Sequence, residues 1–405
     1  MTDRRIGWAL ALTATLTMAV SYFDRQTLAV LAPTVTQALD ISNSSYGWLA
    51  SAFSIAYLVA APVAGRIIDV VGARRGLLGA VLGWSVVAAL HALAPGFGVL
   101  FGLRIALGVA EAPSFPGAAQ TVHRALAPAH RARGFGILFT GSSIGGMLAP
   151  PLASFLEGRY GWRVAFLGTA IIGLAWVPVW ALIAFSARGR QILEPRADAP
   201  LPARPASDIW ALAAHPAVLR AVIAVLASSP ALAFAFLWSA KYLVFTYHVT
   251  QADIGSLLWF PPLIFDAGAI LFGHLASVRA ARPDYDGSPP RTLFGTAMVL
   301  TLVLAAVPYA TTARMAVVIG AVAMGGGGAI FALLTADMLG RVPAAQVSSA
   351  GGITAAAQSL AYIVASPLIG AAVDRYHSYL PVLWPLALFN VPGCVAWLLW
   401  RLPRP

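Results

Sequence analysis

The 405-residue chain is 59% hydrophobic and 10% charged, with a mean hydropathy of +0.79, a composition that excludes a water-soluble domain and requires solvation by lipid. Its formal charge of +11 does not mark a nucleic-acid binder, because the basic residues are sorted along the chain instead of gathered into a patch. One cysteine, Cys394, excludes an intrachain disulfide and a cysteine metal site.

Crossing a bilayer takes roughly 20 apolar residues, and the chain reads as twelve spans at about 7–32, 46–69, 76–94, 97–122, 134–156, 163–186, 217–246, 254–277, 292–310, 314–338, 347–372 and 380–401. Met1 to Arg5 leads straight into the first run with no small-residue cleavage site, so it reads as a retained signal anchor. Of the 26 Lys and Arg, about 18 fall in connections on one side, about four on the other and about four inside apolar runs. The crowded side carries Arg4/Arg5, Arg74/Arg75, Arg124/Arg131/Arg133, the stretch from Arg188 to Arg220, Arg279/Arg282/Arg291, Arg341 and Arg401/Arg404; Arg159, Arg163, Arg314 and Arg375 lie opposite. The positive-inside rule makes the crowded side cytoplasmic and puts both termini there, in a multi-pass protein of the inner membrane.

Ionisable groups at span centres cost at least roughly 2.5–3.5 kcal/mol each, so they face a cavity, a partner or both. In the first span Asp24 and Arg25 point about 100° apart, which frees one of them to reach a neighbouring helix. Between the second and third spans stands Gly65-Arg66-Ile67-Ile68-Asp69-Val70-Val71-Gly72-Ala73-Arg74-Arg75. In the fourth span Arg104, Gly108 and Glu111 follow i, i+4, i+7 spacing, placing guanidinium and carboxylate on one face with a small residue between them where a ligand can approach. Arg104 is the best anion anchor, since a guanidinium presents a planar fork to a carboxylate; the alternative is a permanent ion pair with Glu111. Tyr22 and Tyr57 can donate hydroxyls to the same cavity or serve as core aromatics.

The stretch 187–215 is the one long polar, proline-rich segment and reads as a cytoplasmic linker between an N-terminal half, 1–186, and a C-terminal half, 216–405. In the seventh span Trp238, Lys241 and Tyr242 share a face. Lys241, the only lysine, is a second cationic contact for an anion or a lysine reaching toward the interface. Asp266 follows Trp259-Phe260-Pro261-Pro262, whose prolines break the eighth span early, and it is placed to serve Lys241 as counter-ion. His91 and His274 read as interface residues, and Asp337 as a cap or gate residue. The run Gly325-Gly326-Gly327-Gly328 allows close helix packing. No Gly-rich loop with a Lys, and no His/Cys/carboxylate cluster at metal-ligand spacing, is present, so neither an enzyme nor a metal or other cofactor is expected.

The loop at Gly65 to Arg75 resembles the G-x-x-x-D-x-x-G-x-R-R signature of the major facilitator superfamily; Gly273-His274-Leu275-Ala276-Ser277-Val278-Arg279 is a degenerate copy in the second half. The resemblance implies an all-α membrane fold, twelve transmembrane helices in two six-helix halves, with Asp69, Arg74 and Arg75 in gating. Ser21-Tyr22-Phe23-Asp24-Arg25-Gln26-Thr27-Leu28, Arg104 with Gly108-Val109-Ala110-Glu111-Ala112-Pro113, Gly161-Trp162-Arg163, Trp238-Ser239-Ala240-Lys241-Tyr242, Asp266-Ala267-Gly268 and Ala336-Asp337-Met338 resemble the anion:cation symporter family, in particular its hexuronate and sugar-acid members. That resemblance implies a monomeric proton-coupled symporter importing small organic anions by alternating access, with the anion, protons and the lipid bilayer as partners. It assigns proton handling to Asp24 and Glu111 with Arg25 as their counter-ion, and substrate contact to Arg104, Tyr22 and Tyr57. The family often carries an asparagine in the eleventh span and a polar side chain in the tenth; this chain has Ile353-Thr354-Ala355-Ala356-Ala357-Gln358 and Ala329-Ile330-Phe331-Ala332, so the half-site for a polyol is thinned. A proton-coupled exporter and a transporter-like sensor are the alternatives.

Overall fold

Helices dominate because every backbone polar group inside a bilayer must be satisfied within the segment that carries it. The computed structural model describes residues 3–193, 209–282, 289–343 and 346–402. Among them are twelve helices long and apolar enough to cross a membrane. These are span 1 (Arg4–Ala38), span 2 (Asn43–Val71), span 3 (Ala73–Leu93), span 4 (Phe97–Ala125), span 5 (Pro128–Tyr160) and span 6 (Trp162–Ala184), then span 7 (Pro216–Leu237), span 8 (Gln251–Ala280), span 9 (Arg291–Tyr309), span 10 (Ala313–Leu339), span 11 (Ser349–Tyr376) and span 12 (Leu380–Leu399). Every predicted span is present. Several run beyond their apolar windows because the helix continues until a cap ends it: Pro128 opens span 5, Ser42 Oγ accepts from Ser45 N–H before span 2, and Thr312 accepts from Met315 N–H before span 10.

Two one-residue connections repeat within the first six spans. Gly72 joins spans 2 and 3 and Gly161 joins spans 5 and 6, each at φ 83° with ψ near extended, a region open to glycine and closed to residues with a Cβ. Gly161→Ala is expected to destabilise the protein by about 1–3 kcal/mol, read as a lowered melting temperature.

Span 4 is interrupted between Glu111 and Ser114, and span 8 between Leu258 and Pro261, where Pro261 and Pro262 start a second helix as their positions predict. Span 7 breaks at Trp238 and resumes as Ser239–Tyr247. The Gly325 to Gly328 run is buried, and a Cβ on Gly268 would collide with the Gly325 backbone, the close packing that small residues permit.

The described residues form two compact units, one drawn from Met1–Pro202 with His248–Trp259, the other from Ala203–Tyr247 with Phe260–Pro405. In the first, the Trp176 and Trp180 rings stack 5.1 Å apart, and their indole N–H groups donate to the carbonyls of Thr13 and Arg74, both at 2.9 Å. The first turns of span 8 belong to this unit: Gln251 Nε2 donates to the Val30 carbonyl at 2.7 Å. Of the linker expected at 187–215, residues 194–208 lie outside the described residues; short helices Ala187–Leu193 and Ile209–Ala213 flank them.

The second unit is built around a buried charge cluster. Arg220 pairs with Asp337, donates to the Trp400 carbonyl at 3.0 Å and lies over the Trp397 ring, while Arg341 Nε reaches Asp337 at 3.0 Å. Sequence grouping puts Arg220 with the linker arginines, whereas the structure buries it inside span 7, one turn into the helix. Asp337 holds two arginines, which ties the ends of spans 7, 10 and 12.

Candidate functional site

Three helices of the first unit supply the intramembrane charges: span 1 with Ser21, Asp24 and Arg25, span 2 with Phe53 and Tyr57, and span 4 with Arg104 and Glu111. Arg25 Nε donates to Glu111 Oε2 at 2.7 Å, and Ser21 Oγ, one turn earlier on the same face, donates to the same oxygen at 2.8 Å. Glu111 is fully buried and its other oxygen, Oε1, has no hydrogen-bond partner among the described residues. Three rings surround the Arg25 guanidinium, Tyr22, Phe53 and Tyr57, with centroids at 4.8, 4.9 and 4.5 Å, close enough for cation–π attraction. The two tyrosines thus meet Arg25 with their ring faces.

Arg104 stands apart from this pair. It is 3% exposed and lies over the same Phe53 ring at 4.8 Å, but it forms no ion pair among the described residues and its Nε has no partner. The i+7 spacing brings Arg104 and Glu111 to one buried face of span 4, yet Glu111 chooses Arg25, which approaches from span 1. A permanent Arg104–Glu111 pair is therefore not what the structure shows. Gly108 between them is occupied by protein: a Cβ there would meet the Phe53 carbonyl at 2.5 Å and Ala56 Cβ at 2.9 Å. The expectation that a ligand approaches at Gly108 is corrected, because the missing side chain lets span 2 lie against span 4.

Asp24 is 4% exposed, and neither carboxyl oxygen has a hydrogen-bond partner among the described residues. Arg25 pairs with Glu111, and no Arg25–Asp24 ion pair is present among the described residues. An ionised carboxylate without partners in such a place is costly. His91, at the far end of span 3, is buried, with Nδ1 2.8 Å from the Val87 carbonyl and its ring stacked on Phe166.

Asp69, in the last turn of span 2, and Arg74 and Arg75, in the first turn of span 3, are the residues expected at the gate. Gln120 joins the helix ends there, its Nε2 donating to Asp69 Oδ1 at 3.3 Å and its Oε1 accepting from Ala73 N–H at 2.9 Å. Arg74 is buried under Phe185, with its guanidinium 4.9 Å from the ring, while Arg75 is exposed. The Asp69 carboxylate thus meets Gln120 of span 4, a contact the charge pattern does not show. Asp69→Ala is expected to slow turnover several-fold while leaving equilibrium affinity within a few-fold, as counterflow rates and binding isotherms on one preparation will report.

In the second unit Trp238 is buried at the break in span 7, and Lys241 is half-buried one turn on. Asp374, at the end of span 11, is a carboxylate that acts on the Lys241 ammonium. Asp266 sits half-buried in the second helix of span 8. Tyr242, the neighbour of Lys241, is locked in an aromatic cluster with Tyr247 and Tyr379, and Tyr247 donates to the Ala310 carbonyl at 3.0 Å. No group of three or more His, Cys, Asp or Glu among the described residues is placed to hold a metal ion.

Ser21, Phe53, Gln120 and Arg220 are the residues that sequence reasoning missed. Ser21 had a usable signal in its i−4 spacing from Arg25; Phe53 had none, as an apolar residue in an apolar span.

The chain is 27% identical over 406 residues to the hexuronate transporter of Escherichia coli (strain K12), covering 96% of this chain and 93% of that one. It is 28% identical to the galacturonate transporter of Dickeya chrysanthemi, over 67% of this chain and 81% of that one. A bacterial homologue of the human lysosomal transporter Spinster, solved inward-facing and unoccupied, shares the fold with a TM-score of 0.80 at 16% identity, covering 97% of this chain and 96% of that one. All three carry the name of transporters, two of them for sugar acids. The family profile described as Major Facilitator Superfamily matches residues 14–285, and with twelve spans in two units the chain belongs to that superfamily as a multi-pass membrane transport protein.

Proposed function

We propose that the protein is a proton-coupled symporter of the inner membrane, both termini cytoplasmic, that imports small organic anions of the sugar-acid class by alternating access, as a monomer. The observation that carries the reading is the Arg104 guanidinium, buried and without an anionic partner while a neutralised Arg25–Glu111 pair stands on the same ring. A buried cation without a counter-ion is unfavourable, and a substrate carboxylate supplies the missing charge in a planar fork. The hexuronate and galacturonate transporters among its relatives support the substrate class.

Coupling follows from the two carboxylates. Protonating Asp24 breaks no ion pair, whereas protonating Glu111 gives up the charge that holds Arg25. Protons therefore load Asp24 first. Protonation of Glu111 then releases Arg25 from its pair, so the cage of Tyr22, Phe53 and Tyr57 holds a mobile cation as the anion enters at Arg104. Asp69, Arg74 and Arg75 act at the gate. Uptake of galacturonate into proteoliposomes under an inward proton gradient tests the reading: accumulation that a protonophore collapses is expected, and expulsion of preloaded substrate under the same gradient would make the protein an exporter.

A further inference from the structure

Span 5 ends beside the first turns of span 8 in a groove of about 640 Å³ that does not belong to the charged site, a size in the ~300–1,000 Å³ range of ligand clefts. The two helix segments run antiparallel and nearly touch: a Cβ on Gly255 would meet Pro151 Cα at 2.7 Å, and one on Gly158 would meet Ala252 Cβ at 3.3 Å. The walls are apolar, including Phe155 at 64% and Trp259 at 41% exposure. Three polar residues interrupt them, Ser154, Arg159 and Ser256, the last with its Oγ donating to the Asp253 carbonyl at 2.8 Å. Ser154, 1% exposed, lines the groove with an Oγ that has no hydrogen-bond partner among the described residues. Arg159 lines its end, exposed and in no ion pair among the described residues.

A buried hydroxyl in the wall of a groove that leaves its hydrogen bond unmade among the described residues calls for an acceptor beside it. Five residues of helix separate Ser154 from Arg159, about 7.5 Å along the axis, comparable to the step from an ester carbonyl to the phosphate of a glycerophospholipid. Arg159 is the penultimate residue of its span, while Ser154 and Phe155 lie at least a turn nearer its middle. Charge order thus matches a lipid read from headgroup to chain: cation, hydroxyl, aromatic wall.

We infer that this groove is a binding site for one glycerophospholipid of the leaflet opposite the arginine-rich side, its phosphodiester on Arg159, an ester carbonyl accepting from Ser154 Oγ and an acyl chain against Pro151, Phe155 and Trp259. The lipid bridges the end of span 5 to the first helix of span 8, the segment that leaves the C-terminal sequence half to pack in the first unit. The site is independent of the anion chemistry at Arg104.

Native mass spectrometry of the delipidated full-length protein, titrated with phosphatidylglycerol, tests the site. One lipid is expected to bind, and Arg159→Gln to weaken it at least tenfold and Ser154→Ala several-fold. Arg163→Gln, which removes an exposed arginine at the same membrane end whose guanidinium stacks on Trp162 at 4.1 Å, is expected to leave binding unchanged. The lipid should raise the melting temperature of the wild type and not of Arg159→Gln, since a ligand of the folded state stabilises it; both proteins should melt alike without lipid. Equal lipid binding by Arg159→Gln overturns the site. So does an equal loss in Arg163→Gln, which would make the attraction a diffuse field, displacement by soluble glycerophosphate, which would make it an anion site, or a protein dimer in place of the lipid adduct.

Discussion

Arg104→Leu is expected to abolish anion binding while leaving the ligand-free protein at least as stable as wild type. The two effects have one cause. Without substrate the guanidinium is buried with no counter-ion among the described residues, so an apolar residue removes an uncompensated charge from a low-dielectric setting. In the loaded site the same charge is the anion's partner, and taking one member from a buried pair costs about 3–5 kcal/mol, a loss of at least about hundredfold in affinity. Isothermal titration with galacturonate, paired with melting curves in the absence of ligand, reads both. Wild-type affinity in the variant would move the anchor elsewhere, with Lys241 next. A large drop in ligand-free stability would mean that Arg104 holds the fold through partners acquired in another conformation.

Glu111→Gln is expected to stop net proton-driven uptake while sparing substrate counterflow. Glutamine is nearly isosteric and keeps an oxygen able to accept from Ser21 Oγ, while Arg25 is freed as it is when Glu111 is protonated, so the fold survives without the titration. If Glu111 gains and loses a proton in each cycle, the variant is fixed in a neutral form and cannot return the proton to the cytoplasm. Exchange between equal substrate pools needs only that the loaded carrier alternate, so counterflow should persist and lose most of its pH dependence. A purely structural ion pair behaves differently. Neutralising Glu111 would then leave Arg25 buried without an opposite charge, at about 3–5 kcal/mol, and counterflow and melting temperature would fall together. A stable variant with undiminished proton-driven accumulation would end the role given to Glu111 and leave Asp24 as the coupling group.

The spans were legible because insertion into lipid depends on the composition of each segment by itself: roughly 20 apolar residues cross wherever they occur. The charged residues of spans 1 and 4 stood out for a related reason, since a charge inside an apolar run is rare enough to be noticed without a structure. Their partners were not legible. Helical spacing put Arg104 and Glu111 on one face, but the choice between Arg104 and Arg25 depended on how closely span 2 approaches span 4 at Gly108 and on which face of span 1 turns toward them. Arg220 shows the same limit from the other side. Its sequence neighbours are linker residues, and only the positions of Asp337 and Trp400, 117 and 180 residues away, make it a buried ion-pair member. Phe53 and Ser154 carry no signal at all, because an apolar ring or a small hydroxyl in an apolar helix satisfies the bilayer equally well whether it faces a guanidinium, a groove or another helix. The amino-acid sequence by itself determined which segments enter the membrane and which residues bear charge there, both properties of local transfer free energy. Only the tertiary structure decided which charges are paired and which are left open, since a Coulombic contact falls off with distance and those distances are set by packing between segments far apart in the chain.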